Sequence, residues 1–127
     1  MNKKEIINIL EKYKFDKDKY LVISGAAMVL LGIKENTNDI DIVVAEKYFD
    51  YLLKNYNCTF EKINKYNKEV YFIDDIINFS TTYYEEDKYF VENIPVQQPE
   101  KILKLKRNLN RKKDINDIRL IEEYLNE

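Results

Sequence analysis

Near the start of the chain, apolar residues recur at helical spacing. Ile6, Ile7, Ile9, Leu10 and Tyr13 alternate with lysines and glutamates across Lys3–Tyr13, and this period predicts an amphipathic helix. Phe15-Asp16-Lys17-Asp18-Lys19 reads as a polar connection, and Tyr20–Ile23 as a short apolar strand ending at Ser24-Gly25. Ala26–Leu31 is small and apolar throughout, as in a buried helix, with Gly32 placed to close it. After the polar loop 34–38, the segment Asp39–Val44 alternates strictly. Ile40, Ile42 and Val44 share one face, and Asp39, Asp41 and Val43 share the other. Glu46–Tyr56 returns to helical spacing through Tyr48, Phe49, Leu52 and Leu53.

From Thr59 to Phe90 the composition turns to Tyr, Phe, Ile and Thr, the residues that favour strands. Val70–Phe79 is its strongest part and admits two readings, one long strand or a hairpin turning at Asp74-Asp75. Pro95 and Pro99 then punctuate the chain, and two helices are predicted over Pro99–Asn108 and Lys113–Tyr124, with Pro99 suited to a first helical turn. This order predicts an α+β fold: a small mixed or antiparallel sheet flanked by helices, with further helices at the C-terminal end. A chain of 127 residues, 45% hydrophobic, suits one domain spanning residues 1–127.

Composition narrows the chemistry. There is no histidine, and Cys58 is the single cysteine, so an intrachain disulfide, a zinc site of the usual type and histidine-based acid–base catalysis are all excluded. Any metal ion would be a hard cation held by carboxylates. Net charge is −2, yet Lys101, Lys104, Lys106, Arg107, Arg111, Lys112 and Lys113 follow one another with no acid between them. Such a segment either binds phosphate locally or is a solvated helix face. The eleven tyrosines are read as strand and core-edge residues rather than a stacking platform for nucleic acid. Cys58 is read as a small, buried or half-buried side chain. No segment reads as a signal peptide or reaches membrane-spanning length, so a cytoplasmic protein without a membrane partner is expected. Oligomeric state is left open.

The sharpest chemical feature is the Asp39-Ile40-Asp41 pair. Two acids one residue apart on a strand share a face, roughly 7 Å apart at Cα. Their mutual repulsion is relieved by a divalent cation, and Mg²⁺ favours one or two protein carboxylates together with phosphate oxygens. An Asp-x-Asp pair alone is weak evidence, since it also occurs on solvated strands.

Two blocks give the pair a context. Leu21-Val22-Ile23-Ser24-Gly25-Ala26-Ala27-Met28-Val29-Leu30-Leu31-Gly32-Ile33 followed by Thr37-Asn38-Asp39-Ile40-Asp41-Ile42-Val43-Val44 resembles the signature of the polymerase-β-like nucleotidyltransferases, in which a Gly-Gly or Gly-Ser turn opens a helix and Asp-x-Asp lies on the next strand. The run 98–106 (Gln98-Pro99-Glu100 through Lys106), then Arg111-Lys112-Lys113-Asp114-Ile115-Asn116-Asp117, resembles the C-terminal helices of small bacterial members of that superfamily, including abortive-infection and toxin-type proteins.

The resemblance implies that Asp39 and Asp41 bind Mg²⁺, one ion or two, and that Ser24 and Gly25 cradle the phosphates of an NTP. It makes Lys106 and Lys113 phosphate or substrate contacts, with Asp114 orienting a lysine. On charge alone, Asp114 and Asp117 are instead read as complementing the dipole of the last helix. The implied reaction moves a nucleoside monophosphate from an NTP to a hydroxyl of RNA (tRNA included), of a protein or of a small molecule, in a toxin–antitoxin or phage-defence setting. Three departures stand out. Ser24 replaces the first turn glycine, Glu35 stands where an arginine is usual, with Lys34 as its substitute, and the third acid is ambiguous. On the single-strand reading Asp75 is the third catalytic acid. On the hairpin reading Asn78 takes that place, and the protein is then an inactive binding relative such as an antitoxin, an inhibitor or an interaction module.

Overall fold

A computed structural model describes residues 1–82 and 84–126. Helix α1 (Lys3–Tyr13) begins with a reciprocal cap, in which the Asn2 side chain accepts from the Glu5 amide and the Glu5 carboxylate accepts from the Asn2 amide. Strand β1 (Tyr20–Ile23) leads into helix α2 (Ser24–Leu30). The end of α2 is closed as expected by Gly32, at φ 80°, whose amide donates to Val29 while that of Ile33 donates to Met28. Strand β2 (Ile40–Val44) and helix α3 (Glu46–Asn55) follow.

The β-rich region resolves into β3 (Cys58–Ile63), β4 (Glu69–Ile73), β5 (Ile77–Ser80), β6 (Tyr89–Val91) and β7 (Ile94–Val96). Helix α4 (Pro99–Leu109), with Pro99 in its first turn, a 3-10 turn at Lys112–Asp114 and helix α5 (Ile115–Leu125) complete the described chain.

The seven strands of the described residues join one mixed sheet in the order β3-β4-β5-β2-β1-β7-β6. Strands β1 and β2 pair antiparallel, whereas β2–β5 and β1–β7 pair parallel. Strand β6 straddles the end of the predicted β-rich region at Phe90, and β7 lies beyond it. Each has only three residues, too short for alternation to register, and their turn uses Glu92 and Asn93 at positive φ (48° and 70°), the geometry that fits hairpin twist.

One face of the sheet carries the main core. Val22, Ile40, Ile42, Ile77 and Phe79 pack there with Ile6, Leu10, Met28, Leu52, Ile102 and Ile121 from the five helices. Phe15, read as part of a polar connection, is buried in that core between Tyr13, Tyr20 and Tyr56. Leu21 and Val43 are equally buried but belong to the opposite face, because side chains alternate along a strand. Asp41, two residues before Val43, shares that second face.

Candidate active site

The site is assembled where β1 ends and β2 begins. Antiparallel register sets Ile23 opposite Asp41, so the turn into α2 stands beside the aspartate pair. Ser24 occupies this turn at φ 57°, a left-handed conformation that costs a residue with a Cβ about 1 kcal/mol. A glycine would adopt this backbone without that cost. Gly25 is needed for a different reason, since a Cβ would lie 2.8 Å from Thr37 Oγ1. The Thr37 hydroxyl in turn donates to the Asp39 carbonyl at 3.4 Å, linking the turn to the approach of β2.

Opposite outcomes are therefore expected at adjacent positions. Ser24→Gly should raise stability by about 1 kcal/mol in chemical denaturation by relieving the left-handed strain. Gly25→Ala should displace Thr37 and lower stability by about 1 kcal/mol. A stabilising Gly25→Ala would show that the contact with Thr37 does not constrain the turn.

Asp39 is exposed just before β2, and Asp41 is half-buried within it. Neither carboxylate forms an ion pair or hydrogen bond among the described residues. Burial, then the negative charges of Asp39 and Glu61, push the Asp41 carboxyl up from its ordinary 3.8 to about 6, while the Lys106 and Lys62 ammonium groups pull it down. Hard oxygen donors, mutual repulsion and no cation paired with either carboxylate among the described residues form a donor set that suits Mg²⁺. Among the described residues, no three acidic or thiol side chains gather closely enough to hold a metal ion by themselves. The pair would need further oxygens, such as those of a nucleotide.

The third-acid question resolves to the hairpin. Asp74 and Asp75 have φ 51° and 58°, and the Ile76 amide closes the turn onto Ile73 at 3.0 Å. Asp75 is thus corrected from a strand residue to a turn residue. Aspartate tolerates left-handed backbone, and two such residues in succession match the right-handed twist of a hairpin. The cross-strand partner of Asp41 on β5 is Asn78. Its side-chain amide donates to Glu61 Oε2 at 2.6 Å. Glu61 was missed from the sequence because it lies on β3, seventeen residues before Asn78.

Lys106 also changes role. It is only 4% exposed, and its ammonium pairs with Asp114 at 3.0 Å and Asp117 at 3.3 Å. Arg111 reaches Asp114 at 2.6 Å and Lys34 reaches Asp117 at 3.2 Å, which binds α4, the 3-10 turn, α5 and the loop after α2 into one charge network. Lys106 is therefore a structural cation near Asp41 rather than a free phosphate ligand, and Lys34 is engaged by Asp117 instead of standing free in place of an arginine.

Asp114 at the N-cap of α5 and Asp117 in its first turn do lie where the dipole reading puts them, and both also pair with cations. Burial pushes the Asp114 carboxyl up, but hydrogen bonds and charges from Arg111 and Lys106 outweigh this and hold it below its ordinary value. Much of the basic run is consumed by pairs of this kind, with Lys101 on Glu85 at 2.6 Å and Arg107 on Glu122 at 2.7 Å. Lys113 remains exposed on the 3-10 turn, without an ion pair among the described residues.

Comparison with known proteins agrees on the fold. No family model matches the chain, and no curated protein matches it. Among solved structures it is similar to a Thermotoga maritima protein described as a "putative nucleotidyltransferase", with a TM-score of 0.60, 20% sequence identity, and 99% of this chain and 96% of that one covered. The fold is therefore α+β and nucleotidyltransferase-like. Among the described residues, no helix is long and apolar enough to cross a membrane.

Proposed function

We propose that the protein is a Mg²⁺-dependent nucleotidyltransferase that moves a nucleoside monophosphate from an NTP to a hydroxyl group. The observation that carries this reading is the unpaired Asp39–Asp41 couple beside the left-handed Ser24-Gly25 turn on a nucleotidyltransferase-like fold. Asp39 and Asp41 would hold the cation, which when bound neutralises phosphate charge and favours the attacking alkoxide. Ser24 and Gly25 lie where the phosphates would pass, and Lys113 is an exposed cation available to a substrate. Lys106 keeps α4 docked against α5 and supplies a fixed positive charge toward Asp41. An RNA, a protein and a small molecule all offer the acceptor hydroxyl this chemistry needs.

A second reading is favoured by Asn78, which stands opposite Asp41 and takes up protons poorly. It makes the protein a binding relative that holds Mg²⁺ and nucleotide without transferring. Incubation with each labelled NTP, Mg²⁺ and pools of cellular RNA and protein separates the two. Transfer by the wild type, lost in an Asp39→Ala/Asp41→Ala variant, is the expected result. Nucleotide binding without transfer to any pool would support the binding relative, and neither binding nor transfer would sink both readings.

A further inference from the structure

Glu61 brings a carboxylate toward the site from two strands away. Register between β3 and β4 slips between Phe60 and Lys62, which pair with Tyr71 and Val70, so Glu61 is left without a cross-strand partner. An extra residue of this kind bends the strand and re-aims its side chains. Glu61 reaches over β4 to Asn78, the immediate neighbour of Asp41, and accepts the Asn78 amide hydrogen at 2.6 Å. The identity of residue 78 follows from this contact. An aspartate there would oppose both Asp41 and Glu61 with no hydrogen to donate, whereas a carboxamide supplies one and holds Glu61 in place.

We infer that Glu61 is the general base of the proposed transferase and that Asn78 is the residue positioning it, so the acid absent from β5 is replaced from β3; this rests on the nucleotidyltransferase reading above. The Glu61 carboxylate takes the proton of the acceptor hydroxyl. The freed oxygen bonds to the α-phosphorus of the NTP, the bond from that phosphorus to the bridging oxygen breaks, and pyrophosphate leaves with the electron pair. A base has to reach the hydroxyl directly or through one water, and does not have to ligate the metal. The lack of a three-acid cluster among the described residues therefore does not count against Glu61. Its negative charge also reaches Asp41, where it is one of the causes raising that carboxyl.

The test uses the full chain as wild type, Glu61→Gln, Asn78→Ala and the double variant Glu61→Gln/Asn78→Asp. Mg²⁺–NTP affinity is measured by calorimetry, kcat by transfer of labelled nucleotide, and folding by thermal melting. Glu61 is exposed on its strand, so Glu61→Gln is expected to melt close to the wild type. Its kcat should fall by about a hundredfold or more, with nucleotide affinity changed by less than about threefold. Asn78→Ala should lower kcat by about tenfold with affinity again kept, because the base is present but no longer held. The double variant, with a carboxylate restored beside Asp41, should regain part of the lost rate. Wild-type transfer that persists unchanged in Glu61→Gln overturns the assignment of Glu61 and leaves the transferase standing. Nucleotide binding by the wild type without transfer overturns Glu61 as a base in favour of the binding relative. Neither binding nor transfer by the wild type overturns the transferase reading itself.

Discussion

Asp41→Asn is expected to make the protein more stable at pH 7.5 while abolishing its Mg²⁺–nucleotide binding. The Asp41 carboxyl is pushed up from 3.8 to about 6 by burial and by the charges of Asp39 and Glu61. A group whose folded value is raised holds its proton more tightly in the folded state. Its contribution is fully present below about pH 4 and is lost as pH rises through about 6, so at pH 7.5 the ionised carboxylate works against folding. A rise of this size corresponds to about 1–3 kcal/mol, or about 3–10 °C in Tm for a chain of this length. Asparagine removes the charge at nearly constant shape.

Melting curves at pH 4, 6 and 7.5 should therefore show Asp41→Asn gaining on the wild type as pH rises, with little difference at pH 4. Added Mg²⁺ and NTP should raise the Tm of the wild type and leave the variant unmoved, since only a state that binds ligand is stabilised by it. A variant that melts lower than the wild type at every pH would refute the electrostatic account of this position. The behaviour expected is that of a site kept at the expense of stability: two acids held together for a ligand, and repelling each other without it.

Lys106→Met is expected to have the largest destabilising effect, because it opens the charge network from its centre. Lys106, Asp114 and Asp117 have side chains 5%, 4% and 14% exposed, and removing the shared cation leaves both carboxylates short of a partner. Breaking a buried pair from one side costs about 3–5 kcal/mol, much more than deleting an exposed pair such as Arg119–Glu123. Arg111 and Lys34 remain to share the load, so a loss near the lower end, about 3 kcal/mol, is expected in denaturant titrations.

A second change should restore part of this loss. Lys106→Met combined with Asp114→Asn removes charge from both sides and should recover at least about 1 kcal/mol. In the wild type the Asp114 carboxyl lies below its ordinary value. Its stabilisation is therefore present above the unfolded value near 4 and fades as pH falls through the folded one. A Lys106→Met variant within about 0.5 kcal/mol of the wild type would show that the network does not hold the C-terminal helices. The same variant probes the site from behind, since the Lys106 charge is one of the two that restrain Asp41.

Both effects lie where local pattern and three-dimensional neighbourhood diverge. Asp39 and Asp41 could be singled out because strand alternation has a period of two, although β2 itself begins at Ile40 and Asp39 stands just before it. Helix α1, the cap at Gly32 and the start of α4 at Pro99 were legible for the same local reason: each depends on a few consecutive residues and their backbone preferences. The hairpin at Asp74-Asp75 was visible only as one of two alternatives. The apolar residues on either side (Val70–Ile73 before the turn; Ile76, Ile77 and Phe79 after it) suit a long strand as well as two short ones, and the choice rests on β5 finding β2 as its parallel neighbour.

The remainder depended on residues far apart in the chain. Nothing in the spacing of Lys106, Asp114 and Asp117 separates a buried ion-pair network from a basic helix face beside an acidic helix start, because both place the same charges at the same intervals. Burial decides between them, and burial follows from how α4 and α5 pack. The link from Glu61 to Asn78 crosses one strand, β4, and depends on a register slip between Phe60 and Lys62 that no local preference announces. By itself, then, the sequence determined the periodic elements, the aspartate pair and the turn beside it. The tertiary structure decided that Asn78, bonded to Glu61, stands next to Asp41, and that Lys113 rather than Lys106 is left without an ion pair among the described residues, since both depend on contacts between segments that the chain brings together only on folding.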